Sequence, residues 1–156
     1  MMAMVIVMEK LLISACLLGE NVKYNGKNNL IDFSLLEDYF EFIPICPEVD
    51  GGLSIPRKPS ERKANKVLNI DQEDVTLNYE KGKNIALDLA KKSNVRYALL
   101  KDKSPSCGND KIYDGTFTHT LIDRPGVTAE ALKNAGIKVF NENEIDALIA
   151  LVNLCK

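Results

Sequence analysis

Many of the usual catalytic and anchoring signals are missing from this 156-residue sequence, and each absence narrows its chemistry. There is a single histidine, His119, so a nucleophile that depends on an imidazole base has only one candidate partner. No excess of one charge exists either. Twenty basic residues against 22 acidic ones leave a net charge of −2, with no global attraction to nucleic acid or an anionic membrane surface. No apolar run approaches the roughly 18 residues of a membrane span. The four cysteines, at positions 16, 46, 107 and 155, include no pair close in sequence. That excludes the spacing of zinc ribbons and ferredoxins, and the scatter resembles no small secreted disulfide framework. Internal repeats, low-complexity tracts and linkers are also lacking.

What is present describes an ordinary folded chain. Hydrophobic residues make up 46% and charged residues 27%, enough for one domain with a real core that needs no staples. Reduced thiols in the cytoplasm follow from that. The N-terminus imitates something else: Met1 to Val7 is apolar, and Ile13-Ser14-Ala15-Cys16 has the small residues of a bacterial lipoprotein processing site. Yet no basic residue precedes the apolar stretch, and Glu9-Lys10 interrupts it. We expect a single domain over residues 8–156, with residues 1–7 an extension or a misassigned start.

Apolar runs alternate with helical periodicities along the chain. Lys10 to Leu18 reads as a buried first strand. Asn25-Gly26 marks a turn. Asp32 caps a short helix over Phe33 to Phe40. Phe42 to Ile45 follows as a strand whose Pro44 suits an edge. Cys46 to Leu53 reads as a loop, and Arg57 to Lys66 as a basic segment suited to a solvated face or a phosphate. Val67 to Ile70 and Val75 to Leu77 suggest a small hairpin, and Tyr79 to Lys92 an amphipathic helix. Val95 to Leu100 is a third strand, and Ile112 to Phe117 a tight turn between extended segments. Thr128 caps a helix over Ala129 to Ala135, stopped by Gly136. A strand at Ile137 to Phe140 and a helix capped by Asn143 close the chain. The expected fold class is α/β: a single-domain open, mostly parallel sheet flanked by helices, Rossmann-like and three-layered, with a small hairpin insertion. In such sheets ligands bind beyond the carboxyl ends of the strands.

Cys16, Cys46 and Cys107 each fall at such a strand end, in loops bounded by proline or glycine. If the thiols meet, several chemistries fit. Three thiolates around zinc leave a fourth position for water, making a Lewis-acid hydrolase. Three on a 4Fe–4S cluster leave one iron without a protein ligand, for catalysis or for a non-enzymatic sensor or carrier. One cysteine alone is a nucleophile if His119 assists. Each is otherwise a small buried hydrophobe, the usual condition of a free cysteine. Cys155, near the end of the last helix, belongs with that packing role. Glu48, two residues beyond Cys46, places a carboxylate where it can activate water. Ser104 and Ser106 flank the stiff Pro105 just before Cys107. Asp50-Gly51-Gly52 permits a close backbone approach or a tight turn.

Five segments taken in order carry a more specific signal: Ser14-Ala15-Cys16-Leu17-Leu18-Gly19, Cys46-Pro47-Glu48-Val49-Asp50-Gly51-Gly52-Leu53, Ser104-Pro105-Ser106-Cys107-Gly108, Ile112-Tyr113-Asp114-Gly115-Thr116-Phe117 and Gly126-Val127-Thr128-Ala129. Together they resemble the signature of the thiouracil desulfidase (TudS) family, from about Lys10 to Glu142. The resemblance implies a 4Fe–4S cluster held by Cys16, Cys46 and Cys107, with one iron open to the sulfur of a thiolated pyrimidine. Water then replaces that sulfur, and sulfide leaves without net redox change. Glu48 matches the carboxylate expected to transfer protons and activate water, and Ser104 its hydroxyl partner. Ser106, Asp50, Gly51 and Gly52 become candidate substrate contacts. The implied partner is a small-molecule thiopyrimidine, with no membrane and no RNA-binding appendage. Free thiouracil, a thiouridine nucleotide and thiolated RNA all fall within what the resemblance allows. The chemistry is coherent, since soft thione sulfur suits soft iron and coordination polarises the carbon–sulfur bond.

Overall fold

A computed structural model describes residues 8–154; Cys155 and the Met1–Val7 stretch lie outside the described residues. Strand β1 (Glu9–Ser14) is the keystone. Its Leu11, Leu12 and Ile13 are fully buried, as an apolar run covered on both faces must be. The sequence reading carried this strand to Leu18, but Ala15–Leu18 forms a 3-10 turn ended by Gly19 at φ +93. Helix α1 (Ser34–Glu37) follows, with the Asp32 carboxylate accepting from the Ser34 backbone N–H at 3.1 Å. Next come β2 (Phe40–Ile45) and a one-turn helix α2 (Pro47–Asp50), where composition suggested only loop.

Strands β3 (Ser60–Lys63) and β4 (Lys66–Asn69) make an antiparallel hairpin. Of the expected pairing of residues 67–70 with 75–77, only an antiparallel bridge between Leu68 and Asp74 and the Val75 N–H to Val67 carbonyl bond at 2.9 Å form; the strand partner of β4 is β3. The basic stretch is itself a strand, and Val75 leads into helix α3 (Thr76–Lys92), where the Asp74 carboxylate accepts from Thr76 N–H at 2.9 Å. Glu61 and Val67 are buried on opposite faces of the hairpin, since Glu61 pairs with Leu68 and Val67 with Arg62, whose side chain is only 13% exposed; the alternation of β3 is hidden because a buried position holds an acid. Strand β5 (Tyr97–Leu100) is wholly buried. A second hairpin, β6 (Lys111–Tyr113) with β7 (Leu121–Asp123), has a longer connection than a tight turn. Helix α4 (Val127–Asn134), strand β8 (Lys138–Asn141) and helix α5 (Ile145–Leu154) complete the described chain. Thr128 lies inside α4 rather than capping it; Gly126 holds the cap position.

The main sheet runs β2-β1-β5-β8, and every pairing in it is parallel. Pro44 sits on β2, the edge strand, as its missing N–H requires. Successive residues of the central strands face opposite layers. Leu12, Ala98 and Leu100 pack with Ala86, Ala90, Ala129 and Leu132 of α3 and α4. Leu11, Ile13 and Leu99 pack with Leu36 of α1 and with Leu148, Ile149 and Val152 of α5. The three-layer α/β reading holds. After β1 the chain steps to β2 on one side, then crosses to β5 on the other. That reversal opens a crevice at the carboxyl ends of β1 and β5, the usual binding position in this architecture.

Candidate functional site

The three strands that border the crevice each deliver one thiol to it. Ile45 pairs with Ser14 across β2 and β1, so Cys46, one residue on, and Cys16, two residues on, leave neighbouring strands side by side. Cys107 arrives from the other neighbour, β5, through a loop stitched to the start of α4. There Val127, Thr128 and Ala129 N–H groups donate to the Pro105 and Ser106 carbonyls at 2.8 to 3.0 Å. Gly126 makes that seam possible, since a Cβ there would lie 2.5 Å from the Ser106 carbonyl carbon. Cys16, Cys46 and Cys107 line one cavity of about 600 Å³. They are unpaired thiols, and each of Cys16 and Cys46 lies close enough to affect the titration of Cys107.

The donor set can be tested against the chemistries raised above. Burial pushes all three thiols up from their usual range, most strongly Cys107, where the Glu48 charge adds to desolvation. Nucleophilic cysteines require the reverse, a depressed thiol beside a cation or base. His119 lines the cavity, but its ring packs edge-on against Tyr113 with centroids 5.9 Å apart. Among the described residues no three His, Cys, Asp or Glu side chains are placed to share one metal ion. Such sharing is what a single tetrahedral zinc, with sulfur ligands about 2.3 Å away, requires. Three neutral thiols around one hollow, each needing a positive centre to ionise, fit a polynuclear iron–sulfur group.

Beside the thiols, Glu48 is held from three directions. It is the second residue of α2, so its side chain leaves the same turn that follows Cys46. Tyr79 Oη donates to Glu48 Oε2 at 2.9 Å, and Arg57 Nε to the same oxygen at 3.3 Å. Tyr79 is 1% exposed, and burial, then the Glu48 charge, raises its phenol well above the usual range, so it remains a donor. The Arg57 side chain is 8% exposed and also donates through Nη2 to the Val22 carbonyl at 2.9 Å. On the other oxygen, Ser104 Oγ stands 3.4 Å from Oε1. That hydroxyl accepts the Ser106 and Cys107 N–H groups at 3.2 and 3.1 Å, which uses its lone pairs and turns its proton toward Glu48. A 3.4 Å separation is long for O–H···O. Oε2 is therefore the anchored oxygen and Oε1 the one with capacity to spare.

The other candidates lie elsewhere. Ser106 is fully buried and shares a 2.7 Å hydrogen bond with Thr128 Oγ1, facing away from the cavity. Asp50 accepts from the Cys46 N–H at 3.4 Å and supports the turn. Gly51 and Gly82 bring α2 against α3: a Cβ on Gly51 would meet the Asn78 carbonyl oxygen at 2.0 Å, and one on Gly82 the Pro47 oxygen at 1.9 Å. Gly52 takes the left-handed conformation that ends the turn. None of Ser106, Asp50, Gly51 and Gly52 is among the cavity's lining residues. Sequence reasoning missed Arg57, read as part of a solvated or phosphate-holding run, and Tyr79, read as the start of an amphipathic helix. No local signal marks either. Both reach Glu48 from distant segments.

Comparison with known proteins identifies the family of the chain. A family model described as 2-thiouracil desulfurase matches residues 11–144. The uncharacterized protein YbbK of Bacillus subtilis (strain 168) is 37% identical over 150 residues, spanning 89% of this chain and 99% of its own length. A solved structure of a 4Fe–4S-dependent thiouracil desulfidase, TudS, superposes with a TM-score of 0.88 at 38% identity, covering 94% of this chain and 99% of that one.

Proposed function

This chain belongs to the 2-thiouracil desulfurase family, and from that premise we propose that it is a desulfidase exchanging the sulfur of a thiolated pyrimidine for oxygen without net redox change. Thione plus water yields carbonyl plus hydrogen sulfide, so atoms balance and no oxidant or reductant enters. Cys16, Cys46 and Cys107 are the residues that would hold the 4Fe–4S cluster on which the matched desulfidase depends. Such a cluster, held by three thiolates, supplies a soft Lewis-acid iron that polarises the carbon–sulfur bond.

The protein's own part is proton handling and orientation. Glu48 Oε1 takes the proton of the attacking water and returns one to the departing sulfur, as a carboxylate within hydrogen-bond reach of both can. Tyr79 and Arg57 fix Oε2, so the carboxylate cannot swing away from the cavity. Ser104 donates toward Oε1 and steadies the reacting water. No histidine base is required. The free thiols suit a reducing compartment such as the cytoplasm, and no described helix is long and apolar enough to cross a membrane.

The observation that carries this reading is a donor-bound carboxylate in the same cavity as three thiols. The Glu48→Ala variant, purified and reconstituted without oxygen, should keep cluster absorption yet release no sulfide from 2-thiouracil. Turnover equal to the unmodified protein would remove Glu48 from the mechanism.

A further inference from the structure

The hairpin β3–β4 carries a buried acid with no part in the chemistry above. Glu61 is 9% exposed and, among the ion pairs of the described residues, has no cationic partner. Burying an unpaired carboxylate is costly unless something else satisfies it. Here the donors are two backbone amides on another hairpin: Gly115 N–H and Phe117 N–H both donate to Glu61 Oε1, at 3.0 and 3.1 Å.

Those amides belong to the β6–β7 connection, residues 114–120, whose backbone is unusual. Gly115, Phe117 and His119 all have positive φ, at +96, +58 and +59. Left-handed backbone is unfavourable for a phenylalanine or histidine and persists only where its surroundings enforce it. The consequence is a sorting of side chains. Thr116, Thr118 and Thr120 are exposed and linked hydroxyl to hydroxyl at 2.6 and 2.8 Å. Phe117, half-buried, and His119, still exposed on one side, line the cavity that holds the three cysteines and Glu48, as do Tyr113 and Glu61. The loop is seated hard on β3, where a Cβ on Gly115 would lie 2.6 Å from Lys63 Cβ.

We propose that Glu61 is a positioning residue: by gripping the 115 and 117 amides it holds Phe117 and His119 as an aromatic wall against which the planar ring of the substrate lies. This rests on the desulfidase reading, which supplies a thiopyrimidine for the wall to meet. Ring-on-ring contact fits that chemistry, because flat heteroaromatic faces favour offset or edge-on packing against aromatic side chains. Glu61 also lines the cavity, but its Oε1 is engaged by the two loop amides, so its effect on the substrate runs through the loop. Its loss should therefore weaken binding and spare the chemical step.

The test uses anaerobically reconstituted holoenzyme and 2-thiouracil, comparing Glu61→Ala, Glu61→Gln and Phe117→Ala. Glu61→Ala should raise KM about tenfold, the scale of one lost charge-assisted hydrogen bond, and leave kcat within about twofold. Cluster absorption should not change, and amide hydrogen exchange at Gly115 and Phe117 should accelerate. Glu61→Gln should resemble the unmodified protein, since its amide oxygen accepts the same two N–H groups. Phe117→Ala should raise KM comparably, and adding Glu61→Ala to it should have little further effect. An unchanged KM in Glu61→Ala, a Gln variant as impaired as Ala, or additive losses would each overturn the proposal. Should Glu61→Ala fail to fold, Glu61→Gln and Phe117→Ala decide: the proposal stands if only Phe117→Ala raises KM. If the unmodified holoenzyme releases no sulfide from 2-thiouracil, the desulfidase reading fails separately. The wall is then judged by equilibrium binding of 2-thiouracil: binding weakened in Glu61→Ala supports it, and binding that is absent or unaffected refutes it.

Discussion

Tyr79→Phe isolates one atom and separates a positioning role from a structural one. The phenol oxygen donates to Glu48 Oε2 at 2.9 Å from a site 1% exposed, and Tyr79 is not among the residues lining the cavity. Hydrogen bonds to charged acceptors contribute about 1.5 to 3 kcal/mol. The phenylalanine variant strands no donor, and Oε2 keeps Arg57 Nε at 3.3 Å, so the lower end applies. A loss of about 1.5 kcal/mol lowers the melting temperature of a chain this size by about 3 to 6 °C. The same energy appearing in the transition state lowers kcat about tenfold. KM should stay within about twofold and cluster absorption should not change, because the side chain reaches the site only through Glu48. The assay is anaerobic sulfide release across a 2-thiouracil concentration series, paired with thermal unfolding. Placed on a Glu48→Ala background, Tyr79→Phe should add nothing to the loss of turnover. A lowered melting temperature with undiminished kcat would reduce Tyr79 to packing, and a raised KM with normal kcat would mean it meets the substrate.

Two further outcomes follow from the geometry. Serine in place of Cys16, Cys46 or Cys107 should abolish cluster absorption and bound iron, while Cys155→Ser should retain both; iron analysis after anaerobic reconstitution reads this directly, and equal loss from Cys155→Ser would refute the three-ligand assignment. Gly82→Ala should destabilise the protein by about 1 to 3 kcal/mol in denaturant unfolding and lower kcat, because the new methyl meets the Pro47 carbonyl oxygen at 1.9 Å and must push the Cys46–Glu48 turn aside. An alanine in an unconstrained helix would instead stabilise by roughly 0.5 to 1 kcal/mol, so the sign alone decides.

The sheet was legible in the sequence because a strand buried on both faces has to be a continuous apolar run. Leu11-Leu12-Ile13 and Tyr97-Ala98-Leu99-Leu100 are such runs. The thiols were legible because α/β connectivity puts strand ends together, so three cysteines at strand ends were candidates before any distance was known. The β3 strand escaped notice because a buried position on it is Glu61, a residue that reads as solvent-facing until the amides of another hairpin are seen to hold it. Arg57 and Tyr79 were missed for a related reason. They contact Glu48 from 9 and 31 residues away in sequence, through a turn and a helix whose placement depends on Gly51 and Gly82 touching backbone. Ser106 looked like a partner of Ser104 across Pro105, yet successive side chains in that loop diverge, one toward Glu48 and the other toward Thr128. Local pattern reveals which loops converge. Which side chain in each loop turns inward is set by packing that no short window contains.

The most direct test of the central claim is the composition and colour of the protein purified without oxygen. Iron and acid-labile sulfide near four of each per chain, with broad visible absorption and sulfide released from 2-thiouracil, are the expected results for a 4Fe–4S centre. A colourless protein holding zinc and no sulfide would contradict it.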